Sequence, residues 1–293
     1  MTRIPFANDL SQVLLHMFTV FSPPTPTHDE PHRTVAPDAN EIHRGLLKGE
    51  FRAFVQPKFD IVSNAVLSVE VLARWQHPEC GMLTPAAFIS TMAREDLLDD
   101  LLFALLDQGL AAQVELRNRG QVLGFAFNLS LNQLANETWV SALIARLQRH
   151  PMSLSLVTFE ITEDGPAIAS ARCVQNILRL RQIGVRLSID DYGTGHSSLY
   201  RLCQLPFDEI KLAGEFTREV LRSSQHQSVA RATVLLAREL GMRLVVEGIE
   251  TQEQRLCLAQ MGVRIGQGYL CARPMPVECL YGWLSSSSRD FAA

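Results

Sequence analysis

The chain has no apolar run near the ~20 residues needed to cross a bilayer, and no CxxC pair among its six cysteines. The cysteines (Cys80, Cys173, Cys203, Cys257, Cys271 and Cys279) are scattered, which argues against a disulfide framework or a zinc site and fits reduced thiols. No GxGxxG follows the first β-rich run, so a dinucleotide site finds no support. Basic charge is also scarce: 27 Lys and Arg stand against 31 Asp and Glu, a net charge of −4. A dedicated nucleic-acid surface is usually basic, so this balance counts against one. The apolar stretch Val13–Phe21 follows Asn8 and Asp9, has one nearby cation in Arg3, and lacks a small-residue cleavage site, unlike a signal peptide. With 47% apolar residues in 293, the composition is that of an ordinary globular protein, expected in the cytoplasm.

What is present is an alternation of short β-rich runs with longer helical patterns. Candidate strands are Phe51–Gln56, Val66–Leu72, Gly124–Leu129, Leu156–Ile161, Val185–Ile189, Glu209–Leu212, Arg243–Val246 and Arg264–Gly268. Helical patterns fall at Pro85–Leu98, Leu101–Arg119, Glu137–Arg149, Ile168–Ile183, Ser197–Leu202, Gln225–Leu240 and Glu253–Met261. Strands alternating with helices predict a parallel sheet, and eight such units predict a (β/α)₈ barrel. No helix separates the first two runs, so a short hairpin through Ser63–Asn64 is expected to set the first strand antiparallel to the second. An open doubly wound sheet is the alternative. Residues 41–285 form the expected domain. Residues 1–40 precede it as a short amphipathic helix (Leu10, Val13, Leu14, Phe18, Phe21) and a Pro- and Thr-rich linker, and 286–293 follow as a tail. The helix either packs back on the domain or contacts a partner.

The most informative stretch is Asp190–Asp191–Tyr192–Gly193–Thr194–Gly195, after the apolar run Val185–Ile189. A strand interior rarely tolerates adjacent like charges, because neither is buried cheaply without a partner. At a strand end the pair can face a cation, while Gly193 and Gly195 allow a tight turn; a solvated turn explains the same residues. The arrangement recurs, however. Glu70, Asn128, Glu160, Lys211, Glu247 and Gln267 also stand at or near the ends of apolar runs. In a barrel these ends converge on the rim where active sites are built. Each alone has a dull explanation as an N-cap, turn residue or solvated charge.

An oxygen-only set of Glu70, Asn128, Glu160, Asp190, Asp191 and Glu247 suits Mg²⁺ or Mn²⁺, and the lack of His and Cys counts against zinc. So many carboxylates in one mouth require about two divalent ions to offset their repulsion, the usual device for phosphodiester cleavage. Lys211 can orient a nucleophile or stabilise charge on phosphoryl oxygens, and Arg74 can hold a second phosphate.

These residues resemble those of the EAL-domain family of cyclic di-GMP phosphodiesterases. The resemblance rests on Gln56–Pro57–Lys58, Glu70–Val71–Leu72 with Arg74–Trp75, Asn128–Leu129–Ser130, Glu160–Ile161–Thr162–Glu163, the Asp190–Gly195 stretch, Ile210–Lys211, Glu247–Gly248–Ile249–Glu250 and Gly266–Gln267–Gly268–Tyr269. It implies a modified TIM barrel with an antiparallel first strand, and hydrolysis of cyclic di-GMP to pGpG with Mg²⁺ or Mn²⁺. It implies Glu70, Asn128, Glu160 and Asp190 as ligands of a first ion, and Asp191 and Glu247 at a second. Glu247 is also the implied general base and Lys211 the residue that positions water. Gln56, Leu72, Arg74, Glu250 and Gln267 are implied substrate contacts, and Glu163 the anchor of the loop after Asp191, which couples the site to homodimerisation.

Four positions depart from the family pattern: Val71 for alanine, Tyr192 for phenylalanine, His196 for tyrosine, and Ala213 for an aspartate two residues after Lys211. The last predicts a looser turn beside Lys211 and weakened activity. The alternative reading is a weak or inactive EAL domain that regulates by binding cyclic di-GMP or a protein partner.

Overall fold

The computed structural model describes residues 37–162, 169–194 and 198–290. The strands among the described residues are β1 (Phe51–Asp60), β2 (Val66–His77), β3 (Gly81–Leu83), β4 (Gly124–Leu129), β5 (Val157–Thr162), β6 (Arg186–Tyr192), β7 (Glu209–Leu212), β8 (Arg243–Val246), β9 (Ile265–Gln267) and β10 (Met275–Pro276). Strand β1 pairs antiparallel with β2, opposing Gln56 to Glu70. From β2 the pairing runs parallel through β4, β5, β6, β7, β8 and β9. Lys58–Asp60 of β1 then close the ring against β9. The result is an eight-stranded barrel with one antiparallel strand, as the hairpin signal predicts. Asn64 takes φ 63° in that hairpin, a left-handed conformation that Asn tolerates better than most residues. Strands β3 and β10 are short additions to β2 and β1.

The helices are α1 (Ala39–Leu47), α2 (Ile89–Arg94), α3 (Leu98–Asn118), α4 (Leu131–Leu134), α5 (Glu137–Leu147), α6 (Ala171–Gln182), α7 (Ser198–Gln204), α8 (Gly214–Arg218), α9 (Ser224–Glu239), α10 (Gln252–Gln260) and α11 (Leu280–Asp290). They cover the outside of the barrel. The apolar core lies in that layer, where Leu101, Leu105 and Leu106 of α3 join Phe125, Phe127, Phe159 and Ile189 from the strands.

Several boundaries differ from the sequence reading. Helix α1 starts inside the span assigned to the linker, set by a capping box in which Asp38 and Glu41 satisfy each other's backbone N–H groups. The helix expected over Pro85–Leu98 is instead a 3₁₀ turn at Pro85–Ala87, then α2, then a break. At that break Asp96 adopts φ 55° and the N–H of Leu97 donates to the carbonyl of Met92. This is the geometry of a glycine-type helix end made without glycine. Helix α11 continues through Asp290, past residue 285 where the sequence reading ends the domain. The amphipathic helix expected over 7–21, and Glu163 and His196, lie outside the described residues.

Candidate metal centre

Lys211 is the hub of the barrel's C-terminal mouth. Its side chain is fully buried on β7, where neighbouring strands bring four carboxylates to one ammonium. Its Nζ lies 2.8 Å from Glu160 Oε2, 2.8 Å from Asp190 Oδ1, 2.8 Å from Glu247 Oε1 and 3.2 Å from Glu70 Oε2. These side chains come from β5, β6, the residue after β8, and β2. Asn128, on β4 opposite Glu160 in register, donates through Nδ2 to Glu70 Oε1 at 3.1 Å. Gln267 on β9 donates through Nε2 to Glu70 Oε2 at 2.7 Å and to Gln56 Oε1 at 3.2 Å. Gln56 in turn donates to the carbonyl of Ala272 at 3.2 Å.

Adjacent strand residues normally point to opposite faces. Asp190 and Asp191 escape this because the β6–β7 register shifts between Ile189 and Tyr192, one extra residue on β6, and Asp191 takes φ 51°. Carboxylate oxygens of Asp190, Asp191 and Glu247 consequently lie within 4.8 Å of one another. Gly193 continues the turn at φ 100°, and a Cβ there would sit 2.8 Å from the Phe216 ring.

The electrostatics follow from this crowding. Burial pushes the Glu70 carboxyl above its ordinary range, and repulsion from Glu160 adds to it. Burial raises Asp190 to about 7, with Lys211 opposing and Glu247 and Glu160 reinforcing the shift. Glu247 is raised in the same way, by burial against the pull of Lys211. Glu160 behaves differently. Burial would raise it too, but the ammonium groups of Lys211 and Lys58 outweigh that and hold it at about 2. Lys211 stays charged despite burial because Asp190, Glu160, Glu247 and Glu70 surround it.

The donor set fits a hard divalent cation. It consists of oxygens only, and the Asn128 Oδ1 and Gln267 Oε1 acceptors are buried with no hydrogen-bond partner among the described residues. Asp190 Oδ1 and Glu247 Oε1 each lie 2.8 Å from the Lys211 ammonium. Unsatisfied buried acceptors are costly, and a cation satisfies several at once.

The remaining expected residues take their places around the mouth. Leu72 is buried on the same face of β2 as Glu70. Arg74 is half-buried, donates to the carbonyl of Ala73 at 2.7 Å, and lies 5.6 Å from the centre of the Phe54 ring. Glu250 is exposed just past the mouth, its backbone N–H held by Gln254. Of the departures, Val71 faces away from the mouth, beside Leu101, Leu105 and Phe127. Ala213 is the N-cap of α8 and offers no side-chain cap, while the Lys211 ammonium two residues before it is paired with four carboxylates. Sequence reading assigned no role to Lys58 or Glu209, which lie beneath this cluster. The signal was there: Lys58 falls two residues after Gln56, and Glu209 two before Lys211, on the same strand faces.

The EAL domain model matches residues 39–274. The chain belongs to the EAL domain family. Among its relatives is RocR, a cyclic di-GMP phosphodiesterase of Pseudomonas aeruginosa, 41% identical over 86% of this chain and 64% of its own length. This EAL chain therefore spans less than two thirds of that relative. The EAL structure of the PaMucR phosphodiesterase in complex with c-di-GMP superposes with a TM-score of 0.75, at 33% identity over 82% of this chain and 98% of that one. BlrP1 of Klebsiella pneumoniae, a calcium and cyclic di-GMP complex, gives a TM-score of 0.69 at 27% identity, over 78% of this chain and 56% of that one. Among the described residues, no helix is long and apolar enough to cross a membrane.

Proposed function

We propose that this EAL chain is a divalent-metal-dependent phosphodiesterase that opens cyclic di-GMP to pGpG. The observation that carries the reading is the convergence of Glu70, Glu160, Asp190 and Glu247 on the Lys211 ammonium, with Asp191 and Asn128 beside them. The RocR name and the c-di-GMP complex of PaMucR support the substrate. Glu70, Asn128, Glu160 and Asp190 would hold one ion, and Asp191 and Glu247 a second. Five carboxylates crowd the mouth (Glu70, Glu160, Asp190, Asp191 and Glu247), four of them against the Lys211 ammonium, and this excess of negative charge supports more than one divalent cation. Mg²⁺ or Mn²⁺ suits these oxygens, and the calcium in the BlrP1 complex is likewise a hard, oxygen-seeking ion.

Bound there, the ions would supply electrophilic stabilisation of phosphoryl charge and acidify the attacking water. The protein's own groups do the rest. Lys211 orients the water by donating a hydrogen bond to it. Glu247 accepts its proton as the oxygen attacks phosphorus in line, and the bond from phosphorus to the 3′ oxygen breaks. The leaving oxygen takes up a proton, giving a linear dinucleotide with one 5′ phosphate. Gln56, Gln267 and Leu72 on the mouth wall, with Arg74 and Glu250 at its rim, would contact the bases and phosphates. Glu163 anchors the loop after Asp191 in this reading, and the exposed Leu199 and Tyr200 on α7 support pairing with a second copy.

The deciding experiment is hydrolysis of cyclic di-GMP by the purified chain with Mg²⁺ or Mn²⁺, with Glu70→Ala as control. Formation of pGpG by the natural chain alone supports the reading. Tight binding without turnover at any metal concentration would replace it with a regulatory, ligand-binding EAL domain.

A further inference from the structure

Inward positions of a (β/α)₈ barrel are usually filled by branched apolar side chains. Beneath this mouth they instead hold Lys58 of β1 and Glu209 of β7, both essentially removed from solvent. The charges form an alternating column along the barrel. Arg243 Nη2 lies 3.0 Å from Glu209 Oε2, and Lys58 Nζ lies 2.8 Å from Glu209 Oε1. Lys58 Nζ is also 2.5 Å from Glu160 Oε1, while Lys211 Nζ takes Glu160 Oε2 at 2.8 Å. Glu209 and Arg243 are the first residues of β7 and β8 and face each other in register. Lys58 therefore approaches Glu160 from the floor, and Lys211 from the mouth.

Stability does not account for this column. Replacing a buried ion pair by well-packed apolar side chains is often neutral or stabilising, whereas a fully satisfied network fixes geometry. Every oxygen of Glu209 and Glu160 has a cationic partner, so neither carboxylate is free to rotate. We infer that Lys58 and Glu209 are a positioning pair: they pin Glu160 Oε1 to the barrel floor, so that Glu160 presents Oε2 alone to a cation at the mouth. This rests on the proposed reading of Glu160 as a metal ligand. Without Lys58, Glu160 Oε1 would lose its partner on the floor and the carboxylate could offer both oxygens to a cation at the mouth.

The test is difference infrared spectroscopy of ¹³C-glutamate-labelled protein on Mn²⁺ addition, with Glu160→Gln to assign the Glu160 band. The natural chain should show the wide splitting of carboxylate stretches that marks one-oxygen binding. Lys58→Met should narrow it to the chelating pattern and lower kcat about 10–100-fold with little change in KM, the cost typical of groups that orient a ligand. Lys58→Met with Glu209→Gln keeps the net charge of the interior and similar volumes, so it covers a failure of the single variant to fold and should show the same narrowed band. A chelating band in the natural chain, or an unchanged band and kcat in the folded single or double variant, would overturn the positioning role. If Glu160→Gln removes no Mn²⁺-dependent band, the metal-ligand reading itself fails, a different and recognisable result.

Discussion

Asp190 and Asp191 are neighbours in one strand, yet oxygens of both lie within 4.8 Å of each other and of Glu247. The bulge in β6 and the φ of 51° at Asp191 turn the second carboxylate onto the face of the first. A non-glycine residue held in this region stores strain and persists only where its surroundings demand it.

Asp191→Asn keeps the volume and suits the left-handed backbone, since Asn populates that region readily. It removes the charge alone. If Asp191 holds an ion as proposed, hydrolysis of cyclic di-GMP should fall by more than about 100-fold, beyond the 10–100-fold cost of losing an orienting group. Thermal stability in the absence of metal should hold or rise as repulsion with Asp190 is relieved. Steady-state kinetics and a melting curve check both.

The Asp190 carboxyl sits at about 7 in the metal-free protein, against an ordinary value of 3.8. Its protonated form is favoured by folding, so its contribution is fully present below about pH 4 and is lost as pH rises through about 7. Glu160, held at about 2, has the opposite sign: its contribution is present above its ordinary 4.5 and is lost only in strong acid. Metal-free protein should therefore melt at lower temperature at pH 8 than at pH 6. Mn²⁺ should reverse the order, because it replaces the proton, and its affinity by calorimetry should rise with pH up to about 7.

Ala213 caps α8 without a side-chain acceptor. Ala213→Asp places a carboxylate at a helix N-terminus and should stabilise the fold by about 1 kcal/mol. Denaturant melts check this, and an unchanged midpoint would show that the cap is satisfied by other means.

Gly268 follows Gln267 at φ 156°, and a Cβ there would lie 2.2 Å from the Ile249 carbonyl oxygen. Gly268→Ala should cost about 3 kcal/mol or more, since backbone must move. Displacing Gln267 from Glu70 should also weaken substrate binding in whatever folded protein remains. Differential scanning calorimetry and a KM measurement report the two effects.

Much of the site was legible because its chemistry is carried by residue type. Carboxylates and an amide at the ends of apolar runs are expensive to bury without a purpose, and glycines after Asp191 signal a turn. The break between α2 and α3 was not legible, because Asp96 does there what glycine usually does. The column of Arg243, Glu209, Lys58 and Glu160 was not legible either, since its members are scattered from 58 to 243 and only barrel closure stacks them. The strand expected over Phe51–Gln56 stops short of Lys58, whereas β1 runs on to Asp60 and carries Lys58 inward.

The sequence by itself determined the barrel class, the hairpin that reverses β1, and the residue types available at the mouth, because periodicity and turn chemistry act locally. Tertiary structure decided which carboxylates meet and which partner each oxygen takes. It set Glu160 apart from Glu70, Asp190 and Glu247 by giving it two ammonium partners. The reason is physical: a charge buried in a medium of low dielectric takes its protonation and orientation from whatever lies within a few ångströms, and that neighbourhood exists only once the barrel closes.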